Sequence, residues 1–446
     1  MKRKLRALLA LVLTLLLLCG CAASGKQDTA SPDASGSQKT NGSAAASELA
    51  SKYTYTAKYF NAPSAAQYVS ASCMADGALY LAAAQDGELR TYTDEASGES
   101  YQYNETGYQV YKMDLATGES TPIGALITDP READAEGWTI SQSLFDLQPG
   151  KDGSVWLFWN VNRSRYDLPE SFDPETDQRY NYYVDGGNVI RAVELAADGS
   201  VQQDLTLDPG ETARPQAGDY VSFYPQRVLI TSDGSFAAAS DRYAYLWSAD
   251  GTLAAALDNE SYADLKRLNA DTIGVVSYTG DSMKFQALDT ASKSWGETIT
   301  LPDKAWNPLP GNSQYDFFYN NGTALYGYKT DSGKEEKLVD WLACDVNSDS
   351  INGVYVDDSG KVCAILRDST GSYGYYIGGI NVATATNAAP SSPSTSASGW
   401  QVAVLTPTDA AAVTEKQELT LACLYLPSTL RAQILAFNRA SDKYRI

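Results

Sequence analysis

The chain has 446 residues, with 34 basic side chains against 55 acidic ones, a formal charge of −21 and no histidine. That balance argues against nucleic-acid binding, which rests on Lys/Arg patches set against phosphate. Without histidine there is no Ser-His-Asp or Cys-His catalysis, no His-ligated zinc and no ordinary general base near neutral pH.

Lys2, Arg3, Lys4 and Arg6 precede an apolar run from Ala7 to Cys19. The run is shorter than the roughly 20 apolar residues of a transmembrane helix, and with its basic leader it reads as a secretory signal peptide over residues 1–20. Leu18-Cys19-Gly20-Cys21 resembles the lipobox of bacterial lipoproteins, Leu-small-Gly/Ala-Cys, with Cys19 where Ala or Ser is commoner. The resemblance implies a palmitate-type diacylglyceryl group on the Cys21 thiol and a place on the extracellular face of the cell membrane. A chain this acidic does not lie flat on an anionic bilayer, so the lipid has to do the anchoring. Residues 21–52 hold the lipidated cysteine and a polar, small-residue tether with too little apolar surface to build a core. As a flexible coil it spans roughly 30 Å.

From Tyr53 to Thr406 the sequence reads as strands. Short alternating runs are punctuated by Asp-Gly, Asn-Gly and Thr-Gly turns, the pattern of antiparallel hairpins. One unit recurs, an aromatic-rich strand, a turn led by Asp and a polar strand. Its turn residues are Asp114, Asp198, Asp250, Asp289 and Asp331, at intervals of 84, 52, 39 and 42 residues. A spacing near 40 with four short strands per unit is the signature of a β-propeller. Polar insertions around residues 160–185 absorb the long first interval. Two earlier turns, at Asp152-Gly153 and Asp233-Gly234, look like the starts of inner strands in propellers of bacterial sensor and binding proteins. The last blade is expected to run from Ile351 through Val362–Leu366 and Tyr373–Ile377 to Trp400–Leu405, across a low-complexity loop at Ala383–Ser398. The count is six blades, or seven if Tyr53–Phe60 belongs to a further one.

Little in this region points to chemistry. Cys73, Cys344, Cys363 and Cys423 form no CxxC. They suit either disulfides, with Cys344–Cys363 a plausible pair, or buried small hydrophobes. Asp345-Val-Asn347-Ser-Asp349 opens like a calcium loop, but Ser350 replaces its glycine and Val356 its bidentate Glu, so a polar turn is expected and no metal. Asp152-Gly-Ser-Val-Trp156 departs from the sialidase Asp-box spacing. The Asp residues that can be placed lie in turns, where they have a structural reason to be. No catalytic residue, metal or cofactor is assigned, and the chain is read as a non-enzyme.

Residues 407–417 read as a linker. Glu418–Leu426 then forms a continuous apolar strand of the type buried on both faces. Pro427-Ser428 supplies a turn and cap, and Leu430, Ile434 and Phe437 fall on one face of a helix. Lys443-Tyr-Arg-Ile446 looks like a second strand. This segment resembles the first strand, first helix and second strand of the extracellular solute-binding proteins of ABC importers, whose helix ends in Ala-Phe-Asn. The resemblance implies that 418–446 begins an α/β periplasmic-binding-protein-like domain that is incomplete here, so no ligand-binding residue of its cleft is named. It further implies ABC permease subunits as partners and a small-molecule or sugar ligand. The function expected is therefore that of a membrane-anchored solute-binding lipoprotein of an ABC transporter for a carbohydrate. The alternative is a stand-alone cell-surface propeller lipoprotein that binds glycan, peptide or a membrane protein.

Overall fold

The computed structural model describes residues 53–93, 98, 100–128, 137–173, 176–211, 223–240, 242–259, 265–279, 282–367, 376–377, 380–381, 399–409, 413, 416–423, 426 and 428–446. The signal peptide, Cys21, the tether, the loop at 383–398 and Pro427 lie outside the described residues, as does the side chain of Ser428.

The strands assemble into six antiparallel sheets of four. Strand β1 is Tyr53–Asn61, and blade 1 follows as β2 (Tyr68–Ala75), β3 (Ala78–Thr93), β4 (Ser100–Asp114) and β5 (Ser120–Thr128). Blade 2 is β6 (Thr139–Pro149), β7 (Val155–Tyr166), β8 (Tyr183–Leu195) and β9 (Val201–Leu207). Blade 3 is β10 (Val228–Ile230), β11 (Phe236–Ser240), β12 (Tyr243–Trp247) and β13 (Leu253–Asp258). Blade 4 comprises β14 (Leu265–Arg267), β15 (Ile273–Thr279), β16 (Ser282–Asp289) and β17 (Ser294–Leu301). Blade 5 comprises β18 (Pro308–Pro310), β19 (Phe317–Asn320), β20 (Ala324–Lys329) and β21 (Lys334–Asp340). Each first strand is innermost and touches the next around a closed ring.

The sixth blade corrects the expected count. Strands β22 (Ile351–Val356) and β23 (Val362–Arg367) are followed, after a separate two-stranded hairpin of β24 (Tyr376–Ile377) and β25 (Ile380–Asn381), by β26 (Trp400–Asp409). Its fourth, outermost strand is β1, which pairs with β26 from Tyr53↔Asp409 to Asn61↔Gln401. Tyr53–Phe60 thus starts no seventh blade, and Tyr376–Ile377 is no part of the sixth. Pairing the beginning of the propeller into its last blade closes the ring by tying its first strand to its last.

The period-2 alternation of each strand explains the core. Trp156 and Phe158 face the seam toward blade 3, whereas Leu157 and Trp159 face the seam toward blade 1. Phe317 packs on Met283 and Phe285 of blade 4, and its neighbour Phe318 on Trp341 and Leu366 toward blade 6. Six buried clusters result, one for each contact between neighbouring blades. With both faces covered, a blade's middle strands need apolar residues at every position, as in Val155–Trp159. Each fully buried aromatic contributes about 2–3 kcal/mol.

The turn aspartates stand where hairpin chemistry wants them. Asp114, Asp198, Asp250, Asp289 and Asp331 lie between third and fourth strands. Asp114 Oδ1 accepts from the amides of Ala116 and Thr117 at 2.8 Å each, and Asp289 Oδ1 does the same for Ala291 and Ser292. Asp152-Gly153 and Asp233-Gly234 join first strands to second strands, so they open the second strand of the blade and not the innermost one expected. The cysteines among the described residues form no disulfide; Cys73, Cys344 and Cys363 are buried thiols in three different clusters, and Cys423 is exposed.

Beyond the ring, β27 (Gln417–Glu418) and β28 (Tyr444–Arg445) pair in parallel, with helix α1 (Ser428–Ala440) between them. The apolar run that follows β27 differs from expectation. Leu419 is 41% exposed and Leu421 47%, because β27 has β28 as its one strand partner among the described residues and no layer covers it. The helix buries Leu435, while Phe437 of the expected face stays exposed. Its contacts to the propeller are polar. Arg431 pairs with Asp349, Arg439 donates to the Asp345 carbonyl and stacks over Tyr59 at 3.7 Å, and Arg445 reaches the Asp345 carboxylate at 3.3 Å. The Asp345–Asp349 turn, calcium-like in sequence, thus holds the terminal helix.

Candidate ligand-binding face

Antiparallel order fixes which loops share an end of the blades. The Asp-led turns, joining first to second and third to fourth strands, lie at one end. The connections from second to third strands, and from each blade to the next, lie at the other. Exposed aromatics collect at this second end. Tyr101 opens β4, Tyr166 ends β7, Tyr183 opens β8, Tyr180 sits between them, Tyr224 precedes β10, Tyr278 nears the end of β15 and Trp306 precedes β18.

Several of these rings are paired. Tyr166 and Tyr183 meet edge to face at 5.7 Å, and Phe172 and Tyr182 do so at 5.8 Å within the same insertion. The guanidinium groups of Arg163 and Arg165 lie 5.3 and 4.4 Å from the Trp138 ring. Tyr278 and Trp306 lie 5.7 Å apart with planes tilted by 32°. The sequence does not say that these residues share one face; the strand alternation does. The one signal available was large aromatics in connections rather than in strands, such as Trp306 between Pro302 and Pro308.

Side chains on the innermost strands tie neighbouring blades together. The Tyr355 hydroxyl donates to the Ser72 carbonyl at 2.6 Å, tying blade 6 to blade 1. Asp146, at a bulge in β6, accepts from the amides of Leu147 and Val228 at 2.9 Å and from Gln148 Nε2 at 3.0 Å, tying blade 2 to blade 3. Burial pushes its carboxyl up to about 6, against the opposing pull of Arg227 and of these hydrogen bonds. Burial likewise raises Tyr355 and Cys73. Asp146 is buried with its oxygens engaged by the protein, which suits a clasp between blades.

At the opposite end of blade 5, Ser313, Gln314, Tyr315, Lys329, Lys334 and Glu336 line a hollow of about 330 Å³. Its ring is engaged within the blade, since the Tyr315 hydroxyl donates to Glu336 at 2.9 Å. Among the described residues no group of three or more His, Cys, Asp or Glu side chains is placed to hold a metal ion. No helix among them is long and apolar enough to cross a membrane. Cys21, the one site residue read from the sequence, lies outside the described residues.

No protein-family profile matches the chain, and no curated protein matches it in sequence. Among solved structures it is similar to one described as the Dos1 propeller, at 9% identity and a TM-score of 0.39, covering 79% of this chain and 95% of that one. It is also similar to a protein of unknown function from Dyadobacter fermentans, at 13% identity and a TM-score of 0.38, covering 79% of this chain and 98% of the other. The fold is a six-bladed β-propeller.

Proposed function

We propose that this chain is an exported lipoprotein, held to the outer face of the cell membrane by a lipid on Cys21, that serves as the solute-binding component of an ABC importer for a carbohydrate. The observation that supports this most is the parallel strand–helix–strand unit of β27, α1 and β28. A parallel pair with its crossover helix is the elementary step of an α/β domain, and here the propeller carries it on the Asp345–Asp349 turn. In this reading the propeller is a platform, and the exposed leucines after β27 are where further strands and helices of the binding domain pack.

The anchor is tested by expressing the full chain in a bacterial host fed an alkyne analogue of palmitate. The wild type should take up the label and fractionate with membranes, and Cys21→Ser should do neither. Equal labelling of both would overturn the assignment. The transport role is tested by uptake of labelled oligosaccharides in cells with and without the gene; unchanged uptake of every sugar tried would remove it.

A second reading, in which the propeller itself is the binding module, is favoured by the gathering of exposed aromatics at one end of the blades. It shares the lipid anchor and dispenses with the importer.

A further inference from the structure

Tyr278 is 54% exposed and Trp306 59% exposed, a large apolar surface to leave in water on two adjacent residues. Among the described residues neither the Tyr278 hydroxyl nor the Trp306 indole N–H has a hydrogen-bond partner. Both rings stand on fixed supports. Tyr278 is in register with Met283, which is fully buried in the seam between blades 4 and 5. Trp306 follows Ala305, also fully buried, whose amide donates to the Pro302 carbonyl at 3.0 Å. The residues flanking Trp306 are polar and exposed, namely Asp303, Lys304 and Asn307.

We infer that Tyr278 and Trp306 form a two-ring platform for the apolar face of a saccharide, a glycan-binding subsite at the loop end of blades 4 and 5. It rests on the second reading above and names its ligand class. A stable protein partner needs roughly 800 Å² from each side, far more than two rings inside a polar surround supply. A pyranose is the better match. One face of it presents C–H groups that stack on an aromatic ring, while its hydroxyls point outward to water and to polar neighbours. The 32° tilt presents two facets side by side, suited to consecutive sugar units that are not coplanar. Rings already fixed by packing lose little conformational freedom on binding, so their contact area is used for affinity.

The experiment is affinity electrophoresis of the mature chain in gels containing soluble starch, laminarin, xylan or glucomannan, followed by calorimetric titration with the hexaose of whichever polysaccharide retards it. Retardation by at least one is expected. Trp306→Ala and Tyr278→Ala should each weaken binding about tenfold, with Trp306→Phe in between, while Val201→Ala, an exposed position at the opposite end of blade 2, leaves it unchanged. Full binding by Trp306→Ala would overturn the platform and leave the propeller-face reading standing. No retardation by any of the polysaccharides would overturn the assignment of a glycan ligand, and the lipid anchor on Cys21 would be untouched. The variants' melting temperatures must match the wild type, as expected for substitutions of exposed rings.

Discussion

The side-chain amide of Asn438 donates to Asp345 Oδ1 at 3.1 Å, joining the terminal helix to the crossover between blades 5 and 6. Asn438 is 1% exposed, and it also donates to the Ile446 carbonyl at 3.2 Å and accepts from the Ile446 amide at 2.8 Å. One residue therefore closes β28 back on α1 and fastens both to the propeller. Asp345 takes a left-handed φ of 58°, a conformation that Asp tolerates better than most residues. The bend exposes its carbonyl, which accepts from Tyr59 Oη at 2.8 Å and from Arg439 Nη2 at 2.8 Å.

Asn438→Ala should therefore release the terminal unit and spare the ring. Leaving buried partners unsatisfied costs about 1–3 kcal/mol, so amide exchange at Leu419 and Ile446 should rise steeply while the main thermal transition stays put. Arg431→Ala is the control. Its pair with Asp349 is largely exposed and contributes about 0–1 kcal/mol. Equal protection in Asn438→Ala and wild type would show that the helix is held by other contacts.

Gly199 tests how closely the blades approach at their outer edges. It ends the Asp198 turn of blade 2 at φ 84° and lies against Gly124 of β5 in blade 1, itself at φ 66°. A Cβ on Gly199 would overlap the Gly124 backbone, which has no flexible end to move aside. Gly199→Ala should cost about 2–5 kcal/mol, from the left-handed conformation together with the clash. Gly77, also at positive φ but with open space around it, should cost about 1–2 kcal/mol on the same change. Urea midpoints of the two variants measure the difference.

The turn aspartates and strand alternation make the propeller readable in the sequence, because hairpin turns are local and their side-chain hydrogen bonds span two or three residues. The pairing of β1 with β26 was not readable. It joins Tyr53 to Asp409, and nothing local to Tyr53–Asn61 distinguishes the outermost strand of the last blade from one of a new blade. The terminal strand differs from its sequence pattern for a related reason, since apolar composition at Leu419 and Leu421 says that a surface prefers burial, not that a partner covers it. The aromatic face is a matter of which strand ends coincide, so Tyr278 and Trp306, 28 positions apart, became neighbours only in the fold.

Tyr355 offers a test of ring closure near the axis. Its hydroxyl reaches the Ser72 carbonyl at 2.6 Å and lies 2.7 Å from Ser72 Oγ, so a single oxygen bridges the first strands of blades 6 and 1. Tyr355→Phe keeps the partly buried ring and removes the bridge. It should destabilise the chain by about 1–2 kcal/mol, and Ser72→Ala, which leaves the carbonyl in place, by less. A Phe variant as stable as the wild type in calorimetry would mean that the seam packing of blades 6 and 1 closes the ring unaided.

The remaining clasp makes stability depend on pH in a direction that is unusual for a carboxylate. The Asp146 carboxyl, at about 6 in the fold against an ordinary 3.8, holds its proton more tightly when folded. Between those values the native state binds more protons than the unfolded chain, so this group makes stability fall as pH rises from about 4 through 6. The difference corresponds to on the order of 3 kcal/mol. The exposed turn residues act oppositely. Amide and hydroxyl donors hold Asp114, Asp198, Asp233, Asp250 and Asp289 below the usual carboxylate range, and what they contribute is present above about 4 and lost as pH falls through their lowered values. Asp146→Asn removes the first effect alone. Its amide group turns a donor toward donors, so the variant should be less stable than wild type at pH 4.5. The gap should narrow as pH rises to 7.5, where the wild type carries a buried charge. Denaturant titrations at those two pH values decide it, and a gap that stays constant would mean that Asp146 is ionised in the fold throughout.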